Sequence, residues 1–157
     1  MFEDMPYQVI TTFSILLFFI LALIAVIDFL SFRIPNILNL LLAITGGVWQ
    51  FISIGSQLQL VYQVLFAICL LLVFYSVQKL HSCMTGKLGL GMGDVKMVGA
   101  AGLWISPFNF PVFVFIASFG GLVFGLLKKG AENTTLIPFG PFLGLSLFVV
   151  WIWEVYL

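Results

Sequence analysis

The sequence predicts an all-α membrane protein of six transmembrane helices, with both termini on the non-cytoplasmic side. Three observations carry that prediction. The 157 residues are 62% hydrophobic and 8% charged, with a mean hydropathy of +1.23; a soluble domain of this size needs a charged shell that this chain does not have. Apolar runs long enough to cross a bilayer recur along the chain, separated by short polar or proline-containing breaks. All six lysines and arginines fall in or beside alternate connections, on one side of the implied bundle. Cytoplasmic loops carry the excess of Lys and Arg, so that side is the cytoplasmic one. The whole chain, residues 1–157, is expected to form one membrane-embedded domain, because too little polar sequence remains for a separate soluble one.

The elements follow in order. The N-terminus holds Glu3 and Asp4 but no Lys or Arg before the first apolar run, unlike the basic opening of a cleavable signal peptide. Residues 9–30 form the first span. At about 1.5 Å per residue they cover the roughly 30 Å hydrocarbon layer and leave Asp28 at the far end. Pro35 disfavours helix at Ile34 and suits the start of the next helix, so a sharp turn falls beside Arg33. Residues 37–54 make the second span, whose Gly46-Gly47 pair permits close helix approach. An uncharged loop at 55–57 leads to the third span, 58–77, which ends in Gln78-Lys79. Residues 80–93 are the longest polar connection.

The fourth segment, residues 95–106, reaches only about 18 Å as a helix, short for a full crossing. The preferred explanation places Asp94 below the membrane surface, with the glycine loop dipping in behind it. Protein or a water-filled cavity then satisfies the loop's backbone. The fifth span, 112–127, carries a Gly121–Gly125 pair on one face, with Lys128-Lys129 behind it. The sixth follows Pro138-Phe139-Gly140-Pro141-Phe142 and ends near residue 153, where Trp151 and Trp153 read as interfacial anchors.

The chemistry centres on residues 86–96. Four glycines in eight residues precede Asp94, and glycine admits positive φ and close backbone approach. Asp28 reads as the only other acid set inside an apolar run. Ionisable groups are costly in membrane segments and mark function there. Each acid alone fits a structural role, Asp28 as a helix-end residue and Asp94 as an N-cap. Together, at one membrane face, they read as a dyad. Two neighbouring carboxylates share a proton: the ionised one draws a proton from water, and the protonated one hydrogen-bonds a scissile carbonyl. Such chemistry needs no metal or cofactor, and none is expected. Cys69, read as core, and Cys83, read as a loop thiol, lack C-x-x-C spacing, and His81 stands alone in a loop. Lys96 reads as a topology charge that also tunes Asp94, and Glu132 as a solvated loop residue.

Gly91-Met92-Gly93-Asp94-Val95-Lys96 resembles the signature opening of the type IV prepilin peptidases, aspartic proteases of the G-x-G-D class. Asp28, trailed by Ile34-Pro35-Asn36, resembles that family's first aspartate and its I-P-N. Ile137-Pro138-Phe139-Gly140-Pro141-Phe142 is similar to its C-terminal P-F-G-P segment. The three elements occur in the family's order and cover essentially the whole chain. The resemblance implies an intramembrane-type aspartic endopeptidase with Asp28 and Asp94 as its catalytic pair. It places Gly91, Gly93 and Lys96 in the active-site loop, and makes Pro35, Asn36, Pro138, Gly140 and Pro141 structural motif positions. It implies removal of the short cytoplasmic leader of pilin-like or pseudopilin precursors, in the bacterial inner membrane, among lipid and without a nucleic-acid partner.

One departure from the family is expected to matter. Larger, bifunctional members add a cytoplasmic loop with paired C-x-x-C motifs and N-methylate the new terminus. Without such a segment the chain is similar to the short, peptidase-only form that serves tight-adherence pili. Two other classes predict different features. A transporter relaying protons through paired aspartates calls for midplane carboxylates and interrupted helices repeated in both halves, a pattern these halves lack. An assembly scaffold needs neither aspartate.

Overall fold

Unbroken apolar sequence with few β-branched clusters leaves helix as the conformation that satisfies its own backbone in a membrane. The computed structural model of the protein describes residues 6–53, 56–86, 90–128 and 138–156, and among these it contains six helices and no strand. They are α1 (Tyr7–Ser31), α2 (Asn36–Ser53), α3 (Gln57–Thr85), α4 (Met92–Ala101), α5 (Phe110–Lys128) and α6 (Gly140–Tyr156). Four of the helices, α1, α2, α3 and α5, are long and apolar enough to cross a membrane; α6 is apolar and shorter.

Helix α4 is the centre of the bundle. Six of its ten residues (Val95 and Met97 to Ala101) are buried, and it packs against α2, α3 and α6. It is shorter than the sequence predicts. The chain turns at Gly102 to Ile105 instead of continuing as helix to residue 106. Three side chains hold that turn. Gln63 Nε2 donates to the carbonyls of Gly102 and Ile105, both at 2.8 Å. Gln50 Nε2 donates to Leu103 O at 2.8 Å. The Ser106 N–H donates to both oxygens of Glu154, at 3.0 and 3.1 Å. Irregular backbone inside a membrane bundle is tolerated where protein satisfies it. Glu154 is thus a further acid inside an apolar run, with a structural partner at the end of the bundle away from Asp28 and Asp94. Removing a partner from buried carbonyls costs about 1–3 kcal/mol. The Gln63→Leu variant is therefore expected to lower the unfolding midpoint in a mixed-detergent titration, and an unchanged midpoint would show that Gln63 is dispensable to the turn.

The third helix runs longer than its apolar pattern. It passes Gln78 and Lys79 and continues to Thr85, where Gly86 takes φ 66° and donates its N–H to Ser82 O at 3.0 Å. Nothing between residues 78 and 85 breaks a helix, so the polar extension stays helical until a glycine offers the left-handed cap. His81 and Cys83 therefore lie on an exposed helical extension rather than in a loop. Cys69 is exposed on the flank of α3 and is not a core residue.

Trp151 is also not an interfacial anchor. It is fully buried, on a stripe with Leu143, Leu147 and Val150 that faces the interior. Its indole N–H donates to Ser14 Oγ at 3.1 Å. Its ring meets Trp49 and Trp104 edge-on, at 4.7 and 5.0 Å. Trp153, two residues on, points outward and is 64% exposed. Gly46 serves the same cluster, because its bare backbone seats the Trp104 indole, whose N–H donates to Leu42 O at 2.9 Å.

Candidate active site

Asp28 lies one turn before the end of α1 and is 4% exposed. Its Oδ2 accepts the N–H of Gly140 at 2.9 Å. Gly140 is the first residue of α6, so the carboxylate sits at a helix N-terminus, where free N–H groups and the helix dipole favour an anion. The fit requires glycine. A Cβ there would lie 2.8 Å from Oδ2 and 3.0 Å from Cγ of Asp28. Pro141 sits in the first turn of α6, where a missing N–H costs nothing.

Asp94 is held in a parallel way. Gly91, not Asp94, is the N-cap of α4, which makes Asp94 the third helical residue. Its carboxylate reaches back to the backbone N–H of Gly91, as an acidic residue at this position does in a capping box. A Cβ on Gly91 would lie 2.9 Å from Oδ2 of Asp94. The two carboxylates come from different helices, each against the N-terminus of a helix, and lie within electrostatic range of one another.

The turn between α1 and α2 clamps the start of α4. Ile34 is buried and packs where a side chain on Gly93 would sit, 2.9 Å from its Cβ. The Pro35 carbonyl accepts the N–H of Leu38 at 3.1 Å and so opens α2. Asn36 Oδ1 accepts Lys96 Nζ at 2.7 Å. Asn39 Nδ2 donates to Gly93 O at 3.0 Å. Lys96 therefore turns to α2, and by helical geometry it projects from roughly the opposite side of α4 to Asp94. The expected tuning of Asp94 by Lys96 has no direct contact behind it. Asn39 is a residue that the sequence reading passed over. Its signal is a polar side chain inside an apolar run, one helical turn after Pro35.

Of the motif positions, Pro138 is buried and leads into α6, while Ile137 lies outside the described residues. So do Lys87, Leu88 and Gly89 of the glycine stretch, and Glu132. One large groove lies away from the carboxylates. Of about 670 Å³, it runs between α2 and α3 over Lys96, Gly99, Ala100 and Leu103, the face of α4 turned away from Asp94.

The sequence model of the Type IV leader peptidase family matches residues 15–126, a stretch that holds both aspartates. Over 146 residues the chain is 30% identical to a prepilin leader peptidase/N-methyltransferase of Aeromonas salmonicida, covering 91% of this chain and 50% of that protein. It is 39% identical over 75 residues to a type 4 prepilin-like proteins leader peptide-processing enzyme of Escherichia coli, 48% of this chain and 27% of that one. It is 38% identical over 82 residues to a prepilin leader peptidase/N-methyltransferase of Xanthomonas campestris, 50% of this chain and 29% of that one. The chain spans about half the length of the curated relatives it matches. No solved structure matches it. On the family match and the Aeromonas alignment, the chain belongs to the type IV leader peptidase family.

Proposed function

We propose that this protein is an aspartic endopeptidase of the membrane that removes the short cytoplasmic leader of pilin-like precursors, with Asp28 and Asp94 as its catalytic pair. One observation carries the reading: two acids distant in sequence are brought within electrostatic range at one end of the bundle, each steadied by a backbone N–H. Family membership and the names of the relatives support the substrate class. The ionised carboxylate takes a proton from a water, whose oxygen attacks the scissile carbonyl. The protonated partner hydrogen-bonds that carbonyl and supplies the proton that leaves with the new amine as the C–N bond breaks. A spanning helix masks its own peptide groups, so the cut falls in extended backbone at the leader's junction with the hydrophobic helix. The proposal covers cleavage and leaves the relatives' methyl transfer with them.

In this reading all six helices are embedded in the inner membrane, and the carboxylate end faces the cytoplasm. Arg33, Lys79 and Lys96 lie at or beyond that end, which agrees with the positive-inside rule. The two native cysteines test the orientation. Cys83, on the exposed extension of α3, is expected to react with a membrane-impermeant maleimide only from the cytoplasmic side, and Cys69 from neither. Labelling of Cys83 from the outside would reverse the topology.

Co-expression with a pilin-like precursor tests the activity itself. The precursor is expected to lose its leader in membranes containing the wild-type protein. Persistence of the full-length precursor would contradict the proposal.

A further inference from the structure

Side-chain amides donate to backbone carbonyls at both ends of α4, and the two ends differ. Gln50 and Gln63 serve Leu103, Gly102 and Ile105, where the helix stops and its carbonyls lose their intrahelical partners. At the other end, Asn39 Nδ2 donates to Gly93 O at 3.0 Å. Gly93 is the second residue of α4, so its carbonyl already has the Met97 N–H one turn on. The bond from α2 is not needed to satisfy it. The amide is also costly to keep. Asn39 is 4% exposed, and its Oδ1 has no hydrogen-bond partner among the described residues. An unpaired buried oxygen lowers stability, so its retention calls for a reason other than stability.

That reason lies in what the bond holds. Asn39 sits in the first turn of α2, where its backbone N–H faces Pro35 O at 3.4 Å. Ile34, just ahead of that proline, covers Gly93, so that any Cβ there would lie 2.9 Å from the Ile34 Cβ. The turn thus grips Gly93 twice, at its Cα through Ile34 and at its carbonyl through Asn39. The Gly93 carbonyl and the Asp94 nitrogen belong to one planar peptide group. Fixing that group fixes the direction in which the Asp94 side chain leaves the helix. The bond between the Asp94 carboxylate and Gly91 lies within the same turn and moves with it. Asp28, by contrast, is tied across helices to Gly140, and α1 runs from Asp28 straight into the turn that carries Ile34.

The structure assigns Asn39 as a positioning residue for Asp94, which fixes the first turn of α4 against the segment that carries Asp28 and so sets how the two carboxylates face. The inference rests on the proposed peptidase reading and adds the residue that registers its dyad. Asn39 acts through the Gly93 carbonyl, so its loss falls on the rate of the chemical step. A catalytic group displaced by about 1 Å loses about 10²-fold in rate.

The test measures kcat and KM of the full-length protein in detergent on a pilin-like precursor, beside the unfolding midpoint in a mixed-detergent titration. Asn39→Leu keeps the branched outline and removes both the donor and the unpartnered oxygen. It is expected to lower kcat about 10²-fold with KM unchanged. The midpoint is expected to hold or rise, because Gly93 O keeps its helical partner. Asn39→Gln keeps a donating amide, and the groove that Asn39 lines has room for the extra methylene. It is expected to recover most of the lost kcat. A leucine variant with wild-type kcat, or a glutamine variant no better than leucine, overturns the assignment. So does a rise in KM alone, which would place Asn39 in substrate binding, or a midpoint that falls in step with kcat, which would make it merely structural. If Asn39→Leu does not accumulate in the membrane, Asn39→Ala is measured in the same way, and failure of both to fold also overturns it. In each of these cases the wild type still cleaves and the peptidase reading stands; a wild type that cleaves nothing overturns both.

Discussion

Asparagine in place of Asp28 or of Asp94 is expected to abolish leader removal, with activity falling by about 10³-fold or more, while the protein still inserts and folds. The substitution separates the two roles each acid plays. A side-chain amide oxygen still accepts the N–H of Gly140 at position 28, and the N–H of Gly91 at position 94. Both helix starts therefore keep a partner, and what is lost is a group able to exchange a proton with water. Protein levels in the membrane fraction and the extent of precursor processing, measured side by side, read the two roles apart. Processing near the wild-type level by either variant would reduce that aspartate to a helix cap.

Gly140→Ala is expected to damage the site nearly as much without touching an acid. Its methyl group would fall 2.8 Å from Oδ2 and 3.1 Å from Cβ of Asp28, which 4% exposure leaves no room to evade. The carboxylate or the start of α6 has to move, and misplacing a catalytic group by about 1 Å costs about 10²-fold in rate. Gly47→Ala is the matched control, since nothing lies within 4 Å of a Cβ there. Comparable kcat/KM for the two variants would mean that the Gly140 contact does not position Asp28.

The helices were legible because their apolar runs are long and their breaks are sharp at Pro35, at Gly86 to Gly93 and at Pro138. Asp28 and Asp94 stood out locally as acids in apolar surroundings. Hydropathy alone does not say which face a residue takes, and so Trp151 read as an anchor although α6 turns it inward against Ser14 and two other tryptophans. Nor does it show where a polar side chain finds its partner. Gln50, Gln63 and Glu154 are scattered over three helices, and only the turn at residues 102–106 gives them a common purpose. Lys96 read as a topology charge that also tunes Asp94, yet two residues along a helix point apart, and Asn36 takes the ammonium. The I-P-N motif read as punctuation. In the fold each of its residues holds something: Ile34 covers Gly93, Pro35 starts α2, and Asn36 anchors Lys96.

The most direct test of the central claim is mass spectrometry of a purified pilin-like precursor incubated with the purified protein. The wild type is expected to release the intact leader and a mature chain that begins at the hydrophobic helix, with neither Asp28→Asn nor Asp94→Asn doing so. An intact precursor, a cut within the hydrophobic helix, or the same products from either asparagine variant would contradict it.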